Sequence, residues 1–360
     1  MSLSIWHLCS NRWNSAITEY AVNAARALAL AGFDTLFIAK LGTPAATRAA
    51  ALLPTRTVRD FTWRGLLELL ALMRKNPPDI IITYGGPETF LAGFLKAVHP
   101  AKVLRFQGQA LSPKPFHAAR HRLAHRHVDL IVTPSETLAA AVRLLRPWQP
   151  VVSVPLGCDA DRYCRSLDIL PPRARPELLI FGRLDPVKGH QAMIGRFALL
   201  LAAWESETPR PCLHIIGEAA NLSLAELEDC VLANGLRWGS DVVVTARRVD
   251  DVPAVLSSAC LGVIPSLGSE LICRVAEEFL LCGTPVAVSG VGSLEEVLFP
   301  GAGFSLGEMS NGDMIDAFRH WVQLSVTEGA EAKVRRAMTA RRHFSLEAMA
   351  NALTNTLRRL

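Results

Sequence analysis

Two basic residues and two glycines lie close together in the segment F-G-R-L-D-P-V-K-G-H, residues 181–190. Gly182 follows an apolar run and lets the backbone approach a ligand closely, and Arg183, Lys188 and Gly189 come after it. Two cations beside a glycine turn can grip a diphosphate through charge-assisted hydrogen bonds. The same spacing is common in exposed loops that bind nothing, so this segment alone leaves both interpretations open.

Two acidic residues, Glu270 and Glu278, lie eight positions apart within the largely apolar stretch 265–290. If a helix begins near Glu270, eight steps of about 100° leave the carboxylates roughly 80° apart around the axis and about two turns apart along it. The first N–H groups of that helix can bind an anion, and each carboxylate can accept hydrogen bonds from hydroxyl groups. The alternative is a helix cap at Glu270 and a surface carboxylate at Glu278.

Short apolar runs alternate with helix-like stretches, which is typical of parallel β-α units with helices on both faces of a sheet. In the first half we predict strands at 3–9, 35–39, 79–83, 102–106 and 130–133, and helices at 15–31, 63–75, 89–98 and 135–145. In the second half we predict strands at 178–181, 213–216, 242–245, 261–264 and 286–288. Ser15 is expected to cap the first helix and Gly32 to end it.

A polar, proline-rich stretch at 155–176 separates the two series of elements. The simplest interpretation is an α/β protein of two doubly wound domains, at 1–160 and 161–340. Residues 341–360 form a further helix that we expect to pack back on the N-terminal domain. Ligands of such sheets bind beyond the carboxyl ends of the strands, so a cleft between the domains is the expected site.

Several classes of protein are disfavoured by what the sequence lacks. Residues 7–13, at the end of the first predicted strand and just beyond it, contain no glycine, which disfavours a dinucleotide-binding dehydrogenase. The sequence also lacks a G-x-x-x-x-G-K-[ST] loop, which disfavours a P-loop NTPase. No apolar run approaches the about 20 residues of a membrane span. The eight cysteines form no C-x-x-C pair, and the N-terminus has no pattern of a secretion signal. We therefore expect a reduced, cytoplasmic protein without a metal site.

Charge is divided unevenly along the chain. Residues 1–150 hold 18 Lys and Arg against 8 Asp and Glu, a net charge of +10, whereas the remainder has 20 against 25, a net charge of −5. A basic first half favours an anionic partner such as a phosphorylated substrate, a membrane surface or nucleic acid. An uneven but merely solvated surface is the alternative.

Three segments, taken in order, resemble the donor-binding domain of the GT-B retaining glycosyltransferases of family four. They are residues 181–190, P-S-L-G-S-E-L-I-C-R-V-A-E-E-F-L-L-C-G-T-P-V at 265–286, and V-G-S-L-E-E-V at 291–297. The spacing of the two glutamates is the most specific part, and V-P-L-G-C-D-A-D-R-Y at 154–163 is similar to the family's loop into its second domain. The resemblance implies two Rossmann-like domains facing each other across a cleft, a nucleotide-sugar donor, and no metal cofactor.

The resemblance also implies the roles of individual residues. Arg183 and Lys188 bind the diphosphate, Glu270 contacts the transferred sugar, and Glu278 binds the nucleotide ribose. The donor-binding set is Gly182, Arg183, Lys188, Glu270, Leu271, Ile272 and Glu278.

A second resemblance predicts the chemical class of the acceptor. Residues 11–14, N-R-W-N, together with S-E-L-I-C-R-V-A-E-E, are similar to enzymes that build lipopolysaccharide core and related surface glycans. This implies an anionic glycan or glycolipid acceptor at the inner face of a bacterial membrane, where the enzyme is cytoplasmic or peripheral, and no nucleic acid. We expect the acceptor to be bound by Arg12, Trp13, Asn14 and Arg105.

Departures from the family pattern affect both halves of the expected site. Leu271, Ile272 and Cys273 stand where the family usually has Gly-Phe-Gly, and Leu156 replaces an asparagine. Gln107 stands where the family often has a histidine, and a glutamine cannot act as a base. The resemblance implies that the leaving diphosphate accepts the proton in retaining transfer, so the missing histidine need not abolish activity. We infer that Gln107 and Arg105 line the cleft, and the candidate catalytic residues are Glu270 and Gln107. The alternative is a non-catalytic subunit or sensor that binds nucleotide-sugars.

Two further patterns resemble metal sites. His117, His121 and His125 recur every four residues, but Arg120, Arg122 and Arg126 lie between them and would repel a cation, which favours a basic helix that faces anionic groups. Asp159-Ala160-Asp161 resembles the Asp-x-Asp of a different glycosyltransferase fold, but it lies in the predicted interdomain loop.

Overall fold

The structure is a computed structural model that describes residues 3–13, 15–110, 123, 125–164, 175–205, 207, 209–268, 270–272 and 274–360. The chain divides into two compact units. The first comprises Met1–Cys158 and His343–Leu360, and the second comprises Asp159–Arg342.

The first unit contains a parallel β-sheet. Its described strands are β1 (Ser4–Cys9), β2 (Asp34–Lys40), β3 (Thr55–Val58), β4 (Ile80–Thr83), β5 (Lys102–Phe106), β6 (Leu130–Thr133) and β7 (Val151–Ser153). They lie in the order β3-β2-β1-β4-β5-β6-β7, with every neighbouring pair parallel. The helices between them are α1 (Ala16–Leu30), α2 (Pro44–Ala50), α3 (Trp63–Met73), α4 (Gly86–Val98) and α5 (Glu136–Leu145).

The expected ends of α1 are confirmed. The Ser15 hydroxyl accepts a hydrogen bond from the Thr18 N–H at 3.4 Å, and Gly32 has a φ of +87° one residue past the C-cap Ala31. The central strands of the sheet are apolar on both faces, so they need helices packed against them. Every residue of β4, for example, is buried, and only a strand covered on two sides can bury them all.

The second unit repeats this architecture. After the short helix α6 (Ala160–Cys164), its described strands are β8 (Glu177–Phe181), β9 (Cys212–Ile216), β10 (Val242–Thr245), β11 (Leu261–Ile264), β12 (Val286–Val288) and β13 (Gly303–Ser305). All pairings are parallel, in the order β10-β9-β8-β11-β12-β13. The helices are α7 (His190–Ala202), α8 (Leu224–Ala233), α9 (Val252–Ser258), α10 (Arg274–Leu281) and α11 (Asn311–Thr327), with 3-10 turns at Pro186–Lys188 and Leu294–Val297.

Two helices close the chain, α12 (Ala330–Phe344) and α13 (Leu346–Leu357). Helix α13 packs against α1 of the first unit. Nearby, the Asn23 amide of α1 donates to the Gly157 carbonyl at 2.7 Å, and the Tyr20 hydroxyl donates to the Val154 carbonyl at 2.8 Å. These bonds tie the segment after β7 to α1.

One expectation for the second unit is wrong. Helix α10 begins at Arg274, so Glu270 lies in the loop before the helix, and the two glutamates do not share one helical surface. The Glu270 carbonyl accepts a hydrogen bond from the Ser293 N–H at 2.8 Å, a contact outside any helix. A loop held by that bond lies where a helix that began near Glu270 would have its first turn.

None of the helices within the described residues is both long and apolar enough to cross a bilayer.

Candidate functional site

The turn after β8 brings the predicted diphosphate-binding residues to the carboxyl end of the sheet. Arg183 is exposed, and its carbonyl accepts a hydrogen bond from His190 Nε2 at 2.9 Å. Burial is the main cause that lowers the pKa of His190, which keeps the ring neutral at neutral pH. The neutral imidazole therefore holds the backbone of the turn without adding a charge to it.

This turn lies directly against the loop that follows β11. The Leu267 N–H donates to the Val187 carbonyl at 2.8 Å. Gly189 has a φ of +73°, and a Cβ at this position would lie 2.0 Å from the Pro265 carbonyl oxygen. Only glycine permits both the left-handed backbone and this approach. Gly189 therefore allows the two loops that carry the sequence motifs to lie next to each other.

Lys188 and Glu270 are brought together by that approach. The Lys188 ammonium forms an ion pair with Glu270 Oε1, and the Ser266 hydroxyl donates to the same oxygen at 2.7 Å. Glu270 is only 7% exposed. Glu270 Oε2 accepts no hydrogen bond from a described residue, and it is not fully buried. One carboxylate oxygen is thus used for internal contacts, and the other is available to a ligand.

The third sequence motif fixes the backbone of Glu270. Gly292 has a φ of +66°, and a Cβ there would lie 2.0 Å from the Glu270 carbonyl oxygen. Both the N–H and the hydroxyl of Ser293 donate to that same carbonyl, at 2.8 and 3.2 Å. The segment 291–297 therefore acts as a support under Glu270.

Glu278 is held in the same way on α10. It is 3% exposed, and Oε1 accepts hydrogen bonds from the Tyr163 hydroxyl at 2.6 Å and from Arg274 Nε at 2.7 Å. As with Glu270, Oε2 has no hydrogen-bond partner in the described part of the chain. Sequence reasoning missed Tyr163 and Arg274, although Arg274 lies four residues before Glu278 on the helix, where a pair is expected.

Leu271 and Ile272 are half-buried in the loop between Glu270 and α10. The carboxyl ends of β11, β12 and β13 open into a cavity of about 740 Å³, whose lining includes Arg196, Pro265, Ser266, Leu267, Ser289 and Glu308. None of the predicted donor-binding residues lines this cavity, but Ser266 connects its wall to Glu270.

In the first unit, the structure brings three of the predicted residues to one small cavity. Trp13, Arg105 and Gln107 line a space of about 260 Å³ at the carboxyl ends of β1, β4 and β5. Glu88, which sequence reasoning did not select, lines it as well. Arg12 is exposed and does not line this cavity, and Asn14 lies outside the described residues.

Of the two patterns that resemble metal sites, the Asp159–Asp161 segment makes other contacts. Asp161 forms an ion pair with Arg341 at 2.7 Å, and the Asp159 carboxylate accepts a hydrogen bond from the Arg162 N–H at 3.3 Å. Of the histidine repeat, His125 is buried beside the exposed Arg126. The remaining members, His117, His121, Arg120 and Arg122, lie outside the described residues.

Comparison with known proteins covers both units. Residues 17–162 match the family model described as Glycosyltransferase Family 4, and residues 175–323 match the family model described as Glycosyl transferases group 1. A D-inositol 3-phosphate glycosyltransferase 2 of Catenulispora acidiphila is 30% identical over 163 residues, which are 42% of this chain and 37% of that protein. The alignment thus spans little more than a third of that relative's length.

Solved structures match the whole chain. Anabaena Alr3699/HepE in complex with UDP superposes with a TM-score of 0.78 at 16% identity, covering 100% of both chains. The lipopolysaccharide outer core galactosyltransferase WaaB gives a TM-score of 0.72 at 14% identity, covering 99% of this chain and 100% of that one. The two parallel-sheet units are therefore those of the GT-B fold, as the sequence predicted.

Proposed function

We propose that this chain, which belongs to the group 1, family-four glycosyltransferases, transfers a sugar from a nucleoside diphosphate donor to a glycan or glycolipid. The observation that carries the proposal is the pair of glutamates in the second unit. Glu270 and Glu278 each use Oε1 for internal hydrogen bonds and leave Oε2 to a ligand. Two held carboxylates, one of them paired with Lys188 on the turn that also carries Arg183, suit a molecule that combines hydroxyl groups with a diphosphate.

Arg183 and Lys188 supply the positive charge for the diphosphate. Both lie on the turn after β8, and the Lys188 side chain is 30% exposed although it is paired with Glu270. A diphosphate that departs from a sugar accumulates negative charge, and cations already fixed at that position stabilise the transition state more than the ground state. Under this proposal they do so without a metal ion.

The group transfer that we infer retains the configuration of the sugar. The bond between the anomeric carbon and the diphosphate oxygen breaks, and the acceptor oxygen forms its bond on the same face. The proton of the acceptor hydroxyl passes to the departing diphosphate oxygen. Glu270 binds the sugar and stabilises the positive charge at the anomeric carbon, and Gln107, which cannot accept the proton, has at most a binding role. These assignments rest on the family resemblance stated above.

UDP-sugars are the first donors to test. The Anabaena relative has been solved with UDP and with UDP-glucose. A thermal-shift screen of the full chain against UDP, GDP, ADP and their glucose esters should raise Tm with one nucleotide, because a ligand of the native state stabilises it by RT ln(1 + [L]/Kd). No shift with any of these compounds at millimolar concentration would contradict the proposal.

Turnover separates an enzyme from a non-catalytic binder. Two departures favour a binder: Leu271, Ile272 and Cys273 replace Gly-Phe-Gly, and Gln107 replaces a histidine. We expect slow hydrolysis of the bound donor without acceptor, measured as release of nucleoside diphosphate. Tight binding with no release over many hours would favour the sensor or subunit function instead.

An anionic acceptor at a membrane surface, of the kind used in lipopolysaccharide or related glycan synthesis, is part of the same proposal. It is supported by the net charge of +10 over residues 1–150 and by Phe90, Phe94 and Val98, which are exposed at i, i+4 and i+8 on α4. An apolar helical stripe on a basic domain suits an anionic bilayer. Co-sedimentation should therefore be stronger with vesicles that contain phosphatidylglycerol than with phosphatidylcholine alone, and Phe90→Ser with Phe94→Ser should weaken it.

A further inference from the structure

The cavity of about 260 Å³ in the first unit is built from the ends of three adjacent strands. Ser10 and Asn11 follow β1, Tyr84 and Gly85 follow β4, and the segment 107–109 follows β5. Polar side chains dominate its wall, with the indole of Trp13 on one side. Pockets for drug-sized ligands have volumes of about 300–1,000 Å³. This cavity is smaller, so it fits a group about as large as one sugar ring.

Arg105 is a buried cation at this cavity with unused donors. It is 8% exposed, and Nε and Nη1 are buried without a hydrogen-bond partner among the described residues. Burial lowers the pKa of Arg105 to about 10, so the guanidinium stays charged at neutral pH. A buried guanidinium with unpaired N–H groups is costly for the fold, and an anionic ligand that accepts from it removes part of that cost.

Glu88, in the first turn of α4, is the second ionisable group of the wall, and burial raises the pKa of its carboxyl. It is 1% exposed, Oε1 accepts from the Ser10 N–H at 2.5 Å, and Oε2 is buried with no partner in the described part of the chain. Glu88 attracts Arg105 electrostatically, yet the two side chains share no hydrogen bond. A Cβ on Gly85 would lie 2.3 Å from Oε2, so a larger residue there would require the Glu88 carboxyl to shift.

We propose that this cavity binds a single sugar unit that carries an anionic group, a carboxylate or a phosphate, with the anion on Arg105 and a sugar hydroxyl on Glu88. A guanidinium pairs with carboxylate or phosphate oxygens through a fork of N–H donors, and a carboxylate accepts from hydroxyl groups. The inference rests on the proposed function, in which the first unit binds the acceptor. It adds that the acceptor residue seated here is an acidic or phosphorylated sugar.

Binding of small probes to the full chain tests this. Glucuronate and glucose 6-phosphate represent the two sources of the anion, glucose is the neutral match, and inorganic phosphate is the anion without the sugar. Ligand-observed NMR and calorimetry should show at least one anionic sugar binding ten times more tightly than both glucose and inorganic phosphate. Arg105→Gln should weaken it at least tenfold, whereas Arg74→Gln, which alters an exposed arginine at the end of α3, should not.

Glu88→Gln keeps the shape of the wall and removes an ionisable carboxyl near Arg105, so the phosphate or carboxylate should bind at least as tightly as to the wild type, and the preference over glucose should be at least as large. This variant and the wild-type ranking decide the question even if Arg105→Gln does not fold. The proposal would be overturned if glucose or inorganic phosphate bound as tightly as the anionic sugars. It would also be overturned if a folded Arg105→Gln variant bound the anionic sugar as tightly as the wild type. UDP binding is measured separately, so failure of the donor assignment would appear there and leave these results interpretable.

Discussion

Lys188 and Glu270 form an ion pair that joins the turn after β8 to the loop after β11. The sequence indicated both residues as ligand contacts but not that they would contact each other. Since the Glu270 side chain is 9% exposed and the Lys188 side chain 30%, the pair is partly desolvated. If the proposed diphosphate binds here, it shares Lys188 with Glu270, and the lysine then has a structural role in addition to the proposed binding role.

Lys188→Ala should weaken both folding and donor binding. Removing one partner of a partly buried pair leaves Glu270 uncompensated, and we expect the free energy of unfolding to fall by about 1–3 kcal/mol. Affinity for the nucleoside diphosphate should fall at least tenfold. Urea unfolding and calorimetry measure the two effects.

Arg183→Ala is the matched control for this change. Its side chain is exposed, so the substitution should reduce nucleotide affinity by a similar factor while stability stays within about 0.5 kcal/mol. Equal stability losses in both variants would contradict a structural role for the pair, and unchanged affinity in both would remove the diphosphate assignment.

The regular elements were largely predictable because apolar periodicity reports burial directly. All ten predicted strands are present, within one residue of the expected bounds. The missed strands include β3, Thr-Arg-Thr-Val, which lies at the edge of its sheet with two exposed residues, and β13, which has three residues. Neither has enough apolar residues to be distinguished from a turn.

The contacts of the site were less predictable, because they depend on pairs distant in sequence. The sequence could not fix where α10 begins, because the bonds from Ser293, 23 residues further on, hold Glu270 in a loop. Tyr163 lies 115 residues from Glu278, and only the fold brings its hydroxyl to the carboxylate. The spacing of Glu270 and Glu278 selected them as candidates, whereas the partners that orient them could be found only from the structure.

Gly292→Ala should displace Glu270, whereas a glycine substitution at a site distant from Glu270 should not. The new Cβ would lie 2.0 Å from the Glu270 carbonyl oxygen, in addition to the strain of a φ of +66°. Gly301 has a φ of +85° with open space around the Cβ position, so Gly301→Ala measures the backbone strain alone, about 1–3 kcal/mol.

We expect Gly292→Ala to be less stable than Gly301→Ala by at least about 2 kcal/mol and to lose most donor turnover. Thermal unfolding and release of nucleoside diphosphate give the comparison. If both variants behave alike, the loop at 291–297 does not support Glu270.

Tyr163→Phe removes one of the two donors to Glu278 Oε1 and leaves Arg274 in place. If Glu278 binds the ribose, the less restrained carboxylate should bind UDP about three to ten times more weakly, in keeping with one lost hydrogen bond. Tyr20→Phe also removes a buried hydroxyl bond, to Val154 in the first unit, and should lower stability without changing UDP affinity. Calorimetry with UDP on both variants distinguishes the two effects. If Tyr163→Phe binds UDP as tightly as the wild type does, UDP binding does not depend on the hydrogen bond from Tyr163 to Glu278.

Glu270→Gln should separate catalysis from nucleotide binding. The proposed partner of Glu270 is the transferred sugar and the positive charge that develops at its anomeric carbon, so turnover should fall by on the order of a hundredfold, as when a group aimed at transition-state charge is removed. UDP lacks the sugar, and its affinity should change little. Glu278→Gln should do the opposite and weaken UDP and the UDP-sugar alike, because both contain the ribose. Calorimetry with UDP and a rate assay with the donor on both variants test this division: equal losses of UDP affinity, or full turnover in Glu270→Gln, would show that the two carboxylates do not have the separate roles proposed for them.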